Sequence, residues 1–250
     1  MARLMNLVLN VWRQKSPKEP GGFVRYEAKA INDHMSFLEM LDVVNEGLAQ
    51  KGEAPIAFDH DCREGICGAC GIVIQGRAHG GQTRRATCEV RVGDLDGAGE
   101  VTLEPFRARA FPLVRDLIVD RSAFDRVIQA GGYVSVRTGS APEANTLPIA
   151  KQRAERALDA AACIGCGACV AACPNASAAL FVGAKVSHLA ALPQGGAERA
   201  TRARALVAAA DGEGFGACTS LGECHAACPK GIPLDVIAEL SREVLRPHDP

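Results

Sequence analysis

Hydrophobic and polar residues alternate with period two at both 5 to 12 and 23 to 31, which predicts two β-strands. Short runs rich in β-branched residues at 71 to 75 and 101 to 104 predict two more. Between these pairs the period changes to that of a helix. Phe37, Leu41, Val44 and Leu48 fall on one face, Ser36 and Glu39 form the S-x-x-E signature of a capping box, and Gly52 marks the stop. After "FPLVRDLIVD" (111 to 120), read as a linker, the pattern changes again. Gly131-Gly132 and "RTGSAPEANT" predict irregular chain, and Pro148 is placed to open a helix. From there the sequence is Ala-rich and helical, with a further helix over 198 to 211. These elements predict an α+β protein of two domains: a mixed-sheet domain over 1–115 and a helical domain over 116–250.

With 48% apolar residues, the 250-residue chain can build two cores. Its 28 basic and 29 acidic residues nearly cancel, and no Lys/Arg run is dense enough to follow a phosphate backbone, so nucleic acid is not an expected partner. No stretch approaches the roughly 18 apolar residues of a membrane-spanning helix. The N-terminal run is interrupted by Asn6 and Asn10 and reads as a strand rather than a signal peptide. Arg84-Arg85 and the basic residues of 199 to 204 read as solvated faces.

Cysteine changes the picture. There are eleven, an odd number, and most lie in tight clusters that a secreted disulfide framework would not require, which points to a reducing compartment and thiolate ligands. The first constellation, "CREGICGAC", gives Cys62-x4-Cys67-x2-Cys70, with Cys88 seventeen residues later. This is plant-type 2Fe-2S spacing, and Gly65, Gly68 and Gly71 would let backbone amides approach the sulfurs. The alternative is a structural zinc site, to which paired C-x2-C knuckles would be the better match.

The second constellation, "CIGCGACVAACP", is Cys163-x2-Cys166-x2-Cys169-x3-Cys173-Pro174, the full run of a bacterial ferredoxin. Gly165 and Gly167 do not form a dinucleotide fingerprint, because they follow a helix and the third glycine is absent. The third, "CTSLGECHAACP", repeats that run as Cys218, Cys224 and Cys228, with Leu221 at the second ligand position. In two-cluster ferredoxins the fourth cysteine of each run serves the other cluster. By that symmetry Cys163, Cys166, Cys169 and Cys228 hold a 4Fe-4S cluster, and Cys173, Cys218 and Cys224 hold a cluster with three thiolates. A cuboidal cluster with a leucine at one corner favours 3Fe-4S. The alternative makes Leu221 a core residue of a degenerate repeat.

His34, His60, His79, His188, His225 and His248 show no metal-ligand spacing and read as surface or hydrogen-bonding residues. No Rossmann fingerprint, P-loop or acid-base pair accompanies the cysteines, so the chain conducts electrons while partners make and break bonds.

"CREGICGAC", "FPLVRDLIVD", "CIGCGAC" and "CHAACPKGIP", in this order, resemble the iron-sulfur subunits of succinate dehydrogenases and fumarate reductases, and the likeness spans nearly the whole chain. The resemblance implies a β-grasp ferredoxin domain followed by a helical ferredoxin-like domain. It implies electron transfer between the FAD of a flavoprotein subunit and a membrane quinone, through 2Fe-2S, 4Fe-4S and 3Fe-4S clusters. It further implies a place on the cytoplasmic face of the membrane, held there by a haem-bearing anchor subunit. Fumarate reduction by the same kind of complex and a free multi-cluster carrier are the alternatives, and the near-zero net charge favours stable assembly over the latter.

Two features depart from the family pattern. "GRAHGGQTRR" lengthens the gap between Cys70 and Cys88. Ubiquinone-linked members carry a Trp after the second run's "CP" and a His after the third run's first Cys. Asn175, Ser177 and Thr219 stand in those neighbourhoods and do not inherit the ubiquinone-binding roles, which implies menaquinone.

Overall fold

The computed structural model describes residues 3–82, 84–135, 149–192 and 198–247. Its first half is a five-stranded sheet in the order β2-β1-β5-β3-β4, folded over one helix. Strand β1 (Leu4–Arg13) pairs antiparallel with β2 (Gly22–Asn32), with Val8 opposite Glu27. On its other side β1 runs parallel to β5 (Glu100–Pro105), with Leu9 opposite Val101. β3 (Ile72–Ile74) joins β5 antiparallel and turns directly into β4 (Arg77–Ala78).

A parallel β1–β5 pair needs a long crossover. This one contains α1 (Phe37–Gln50) and the Cys62 loop. The capping box at Ser36 is formed: its Oγ accepts from Glu39 N at 3.3 Å while Glu39 Oε2 accepts from Ser36 N at 2.7 Å. Met5, Leu7, Leu9 and Val11 point into one core together with Phe37, Leu38, Met40, Leu41, Val44 and Leu48 of α1. Each large side chain removed from water there stabilises the fold by about 1.5–3 kcal/mol.

The segment expected to be a linker is instead a hairpin, β6 (Leu113–Arg115) and β7 (Ile118–Val119). Asp116, with φ 47°, makes the turn, and its buried carboxylate accepts from Gln14 N at 2.9 Å and Ala57 N at 3.0 Å. The turn is thereby stitched to the sheet domain.

The second half is helical, with α2 (Ser122–Gln129), α3 (Lys151–Ala161), α4 (Ala168–Ala172), α5 (Ala179–Ala191), α6 (Arg199–Gly212), α7 (Glu223–Ala226) and α8 (Asp235–Leu245). Pro148, expected to open a helix, lies outside the described residues. α5 is apolar around most of its circumference and sits at the centre, against α3, α6 and α8. A Cβ on its Gly183 would stand 2.7 Å from Val236 O, so only glycine permits the close approach of α5 to α8. The core continues into the linker region through Phe106 and Phe111. Phe124 stacks on Phe181 at 3.8 Å between ring centroids and also meets Phe111 and Phe215 at 5.0 and 5.5 Å.

Arg202, read from sequence as part of a solvated face, is only 3% exposed. Its guanidinium donates to Gly131 O and Tyr133 O and pairs with Glu198. Arg199 is bound to Glu243 at 2.5 Å, so α6 uses its arginines to fix neighbouring segments.

Candidate iron-sulfur sites

The first site is built by a loop that repeatedly visits left-handed backbone, at Arg63, Gly65 and Gly68. Each reversal turns amide hydrogens inward. Cys62 Sγ accepts from the amides of Glu64, Ile66 and Cys67 at 3.3, 3.4 and 3.3 Å, and Cys67 Sγ from Ala69 N at 3.4 Å. Gly65 N donates to Cys88 Sγ at 3.1 Å, so the chain brings Cys88 to the loop despite the long gap. A Cβ at residue 65 would lie 2.3 Å from Glu89 Oε2, which adds a steric requirement to the φ of 67°. The three amides push the Cys62 thiol down to about 7, whereas burial and the neighbouring Cys88 push Cys70 up to about 12.

The extra residues before Cys88 serve this site. Ala78 of β4 enters the helical core, and His79 is buried beside Phe106. His79 Nδ1 accepts from Thr87 N at 3.1 Å, tying the excursion to the residue preceding Cys88. Burial holds His79 down to about 4, so its imidazole is neutral with the proton on Nε2.

At the second site Gly165 and Gly167, both left-handed, connect α3 to α4 and place Cys163, Cys166 and Cys169 around one cavity. The same cavity is lined by Cys228, from the third cysteine run, together with Phe124, Leu180, Phe181 and Ile232. Desolvation pushes the Cys166 thiol up to about 12, and Cys169 and Cys163 in the same direction. Ile232 N donates to Cys228 Sγ at 3.4 Å.

Cys173 is placed in a different cavity, of about 280 Å³, with Cys218 and Cys224. Its apolar walls include Leu180, Leu234 and Ile237. Leu221 lines the same cavity and is 59% exposed, which removes the alternative that it is a core residue. Asn175 Nδ2 donates to Thr219 Oγ1 at 2.8 Å, and Ser177 Oγ accepts from Ala179 N at 3.2 Å as α5 begins. These polar groups are occupied in holding the loops together.

All eleven cysteines are free thiols. Among the described residues no three His, Cys, Asp or Glu side chains converge tightly enough to hold a single metal ion. A polynuclear cluster spreads its thiolates over several irons, and the donor set fits that demand. Every candidate ligand is a thiol, amides aim at the sulfurs of Cys62, Cys67, Cys88 and Cys228, and the second and third cavities have apolar walls. Burial favours the protonated form of these thiols, so ionising them as ligands would need a compensating cation of the kind an iron cluster would supply. Sequence spacing singled out these cysteines, but not Arg121, whose guanidinium reaches two of the loops from the start of α2.

Two domain families and several known proteins match the chain. The 2Fe-2S iron-sulfur cluster binding domain family matches residues 8–126, and the 4Fe-4S dicluster domain family matches residues 159–232. The succinate dehydrogenase iron-sulfur subunit of Bacillus subtilis is 32% identical over 217 residues, covering 82% of this chain and 79% of that protein. The fumarate reductase iron-sulfur subunit of Mycobacterium tuberculosis is 33% identical over 192 residues, covering 72% and 70%. In fold the chain is similar to one from the Mycobacterium smegmatis Sdh1 complex in the apo form, with a TM-score of 0.67, 21% identity and coverage of 97% and 96%. A ferredoxin-type sheet domain, a dicluster helical domain and these relatives together establish that the chain belongs to the family of iron-sulfur subunits of succinate dehydrogenase and fumarate reductase.

Proposed function

We propose that the chain is the electron-transfer subunit of a succinate:quinone oxidoreductase, working between the FAD of a flavoprotein subunit and a membrane quinone, with menaquinone favoured. On this reading Cys62, Cys67, Cys70 and Cys88 hold a 2Fe-2S cluster. Cys163, Cys166, Cys169 and Cys228 hold a 4Fe-4S cluster, and Cys173, Cys218 and Cys224 hold a 3Fe-4S cluster. Bound there, the clusters would supply one-electron carriage at potentials set by burial, ligand set and amide hydrogen bonds.

The observation that carries the reading is the exchange of Cys173 and Cys228 between the two ferredoxin-like runs. It puts four thiols in one cavity and three in the next, with Leu221 beside the three. The sites then form a row. Gly68 of the first loop lies against Ile164 and Cys166 of the second, and α4 and the loop after it hold Cys169 in one cavity and Cys173 in the other. The division, which falls after the β6–β7 hairpin rather than within it, separates a flavin-facing first site from the two sites directed to the membrane. No helix of the described residues is long and apolar enough to cross a membrane. On the proposed reading the chain is peripheral, on the cytoplasmic face, held by the flavoprotein and a haem-bearing anchor. Partner potentials set whether succinate oxidation or fumarate reduction prevails.

Purification of the tagged chain from membranes tests the proposal. A flavoprotein and a haem-containing membrane chain should copurify, and succinate should reduce the iron-sulfur centres anaerobically. A chain recovered alone, or centres that succinate leaves oxidised in an assembled complex, would overturn it.

A further inference from the structure

Arg121 occupies a position that ligand spacing does not reveal. It precedes α2, and its Nη1 donates to Gly68 O at 2.7 Å, Gly165 O at 3.0 Å and Cys166 O at 3.2 Å. Gly68 lies between Cys67 and Cys70, whereas Gly165 and Cys166 belong to the loop of the second site. One nitrogen thus joins the two loops. Three carbonyl oxygens that converge on a point repel one another, and a partly buried guanidinium offsets that repulsion, the two hydrogens of Nη1 being shared among the three.

The contact it secures is a direct one between backbones. A Cβ on Gly68 would stand 2.5 Å from Ile164 O and 3.2 Å from Cys166 N. Beside this contact opens a cavity of about 320 Å³ bounded by Cys67, Asp125, Cys163 and Lys185, so on that side the loops are not packed together. Gly167 holds the other end of the arrangement. Its Cβ would meet the Phe111 ring at 2.8 Å and Arg121 Cδ at 3.6 Å.

We infer that Arg121 is the positioning residue that sets the separation of the first and second clusters, and thereby the rate of electron transfer between them. The inference rests on the cluster assignment proposed above. Electron tunnelling falls exponentially with edge-to-edge distance, so a small displacement of either loop would lower the rate while leaving both ligand sets intact. The group acts through the main chain and is not itself a ligand.

The test uses the assembled complex with Arg121→Gln and Arg121→Lys. With both clusters reduced, electron paramagnetic resonance reads their dipolar coupling, which falls with the cube of separation, and rapid freezing after mixing reads transfer from the first centre to the second. At full iron content and unchanged flavin activity, Arg121→Gln should lose coupling and slow the transfer. Arg121→Lys keeps the charge and three N–H donors but ends one bond short of the Nη1 position, so its coupling should fall less than that of Arg121→Gln. Wild-type coupling in Arg121→Gln would overturn the inference. Loss of clusters from both variants would make Arg121 a folding residue and overturn it too. A wild-type complex without iron-sulfur signals would sink the cluster assignment itself, a separate outcome.

Discussion

Phe124→Ala should weaken the helical core and the second site together. Phe124 is 4% exposed and lies among three other rings, stacked on Phe181 at 3.8 Å and in contact with Phe111 and Phe215 at 5.0 and 5.5 Å. It also lines both the Cys163–Cys228 cavity and the neighbouring cavity beside Cys67. Truncation removes the buried ring and leaves a hole that its aromatic neighbours cannot fill without leaving their rotamers, at a cost of about 3–5 kcal/mol. For a chain of this size that corresponds to a fall of roughly 6–20 °C in thermal midpoint. The hole would join the two cavities and admit water to Cys163 and Cys166, so cluster absorbance should bleach faster as well. The assay is cluster absorbance and circular dichroism at one fixed scan rate, because unfolding with cluster loss is irreversible. Phe124→Leu refills most of the volume and should recover more than half of the loss. A fall below about 2 °C for Phe124→Ala, at full initial iron content, would refute the argument that this ring unites the core with the site.

The other predictions concern ligation, charge and cluster type. Cys67→Ala should abolish the first centre and electron entry while dye reduction at the flavin persists; equal loss of both in an assembled, flavin-loaded complex would count against the relay. Burial alone would raise the Glu243 carboxyl, but Arg199 and Arg246 outweigh it and hold the group below the usual carboxylate range. Its stabilisation is therefore complete above the ordinary glutamate value near 4.3 and is lost as pH falls through the lower folded value. Glu243→Gln should cost about 2 kcal/mol at neutral pH, less than a fully enclosed pair because both guanidiniums reach water, and the difference from wild type should shrink below about pH 4. A pH-independent difference in denaturant midpoint would refute the ion-pair account. Leu221→Cys, at an exposed position, should change folding stability by no more than about 0.5 kcal/mol. It should convert the third centre to 4Fe-4S and lower its potential, with each fall of roughly 59 mV cutting its equilibrium share of the electron about tenfold. Quinone-linked turnover should then drop, and an unchanged potential measured by redox titration would contradict the role given to Leu221.

Elements with strong local order could be read from the chain. β1 and α1 announce themselves through period and capping because burial of one face repeats along many residues. The cysteines are legible because ligation fixes their spacing, and the repeat symmetry points to the placement of Cys228 beside Cys163 rather than Cys218. The β6–β7 hairpin is not, since strands of three and two residues carry no period and Asp116 at its turn is fixed by Gln14 and Ala57, distant in sequence. Arg202 reads as surface because its partners Gly131 and Tyr133 are some seventy residues away. Arg121 shares that property: its partners Gly68 and Gly165 are 53 and 44 residues away, and only the folded chain brings them near.

The central claim is that eleven thiols hold one centre of each type. Metal and sulfide analysis of the freshly prepared complex, with electron paramagnetic resonance of the same sample as isolated and after reduction, tests it most directly. About nine irons and ten labile sulfides per chain are expected, with an oxidised 3Fe-4S signal that disappears on reduction as the 2Fe-2S signal rises. Zinc in place of iron, or about ten irons with no 3Fe-4S signal in an anaerobic preparation, would contradict it.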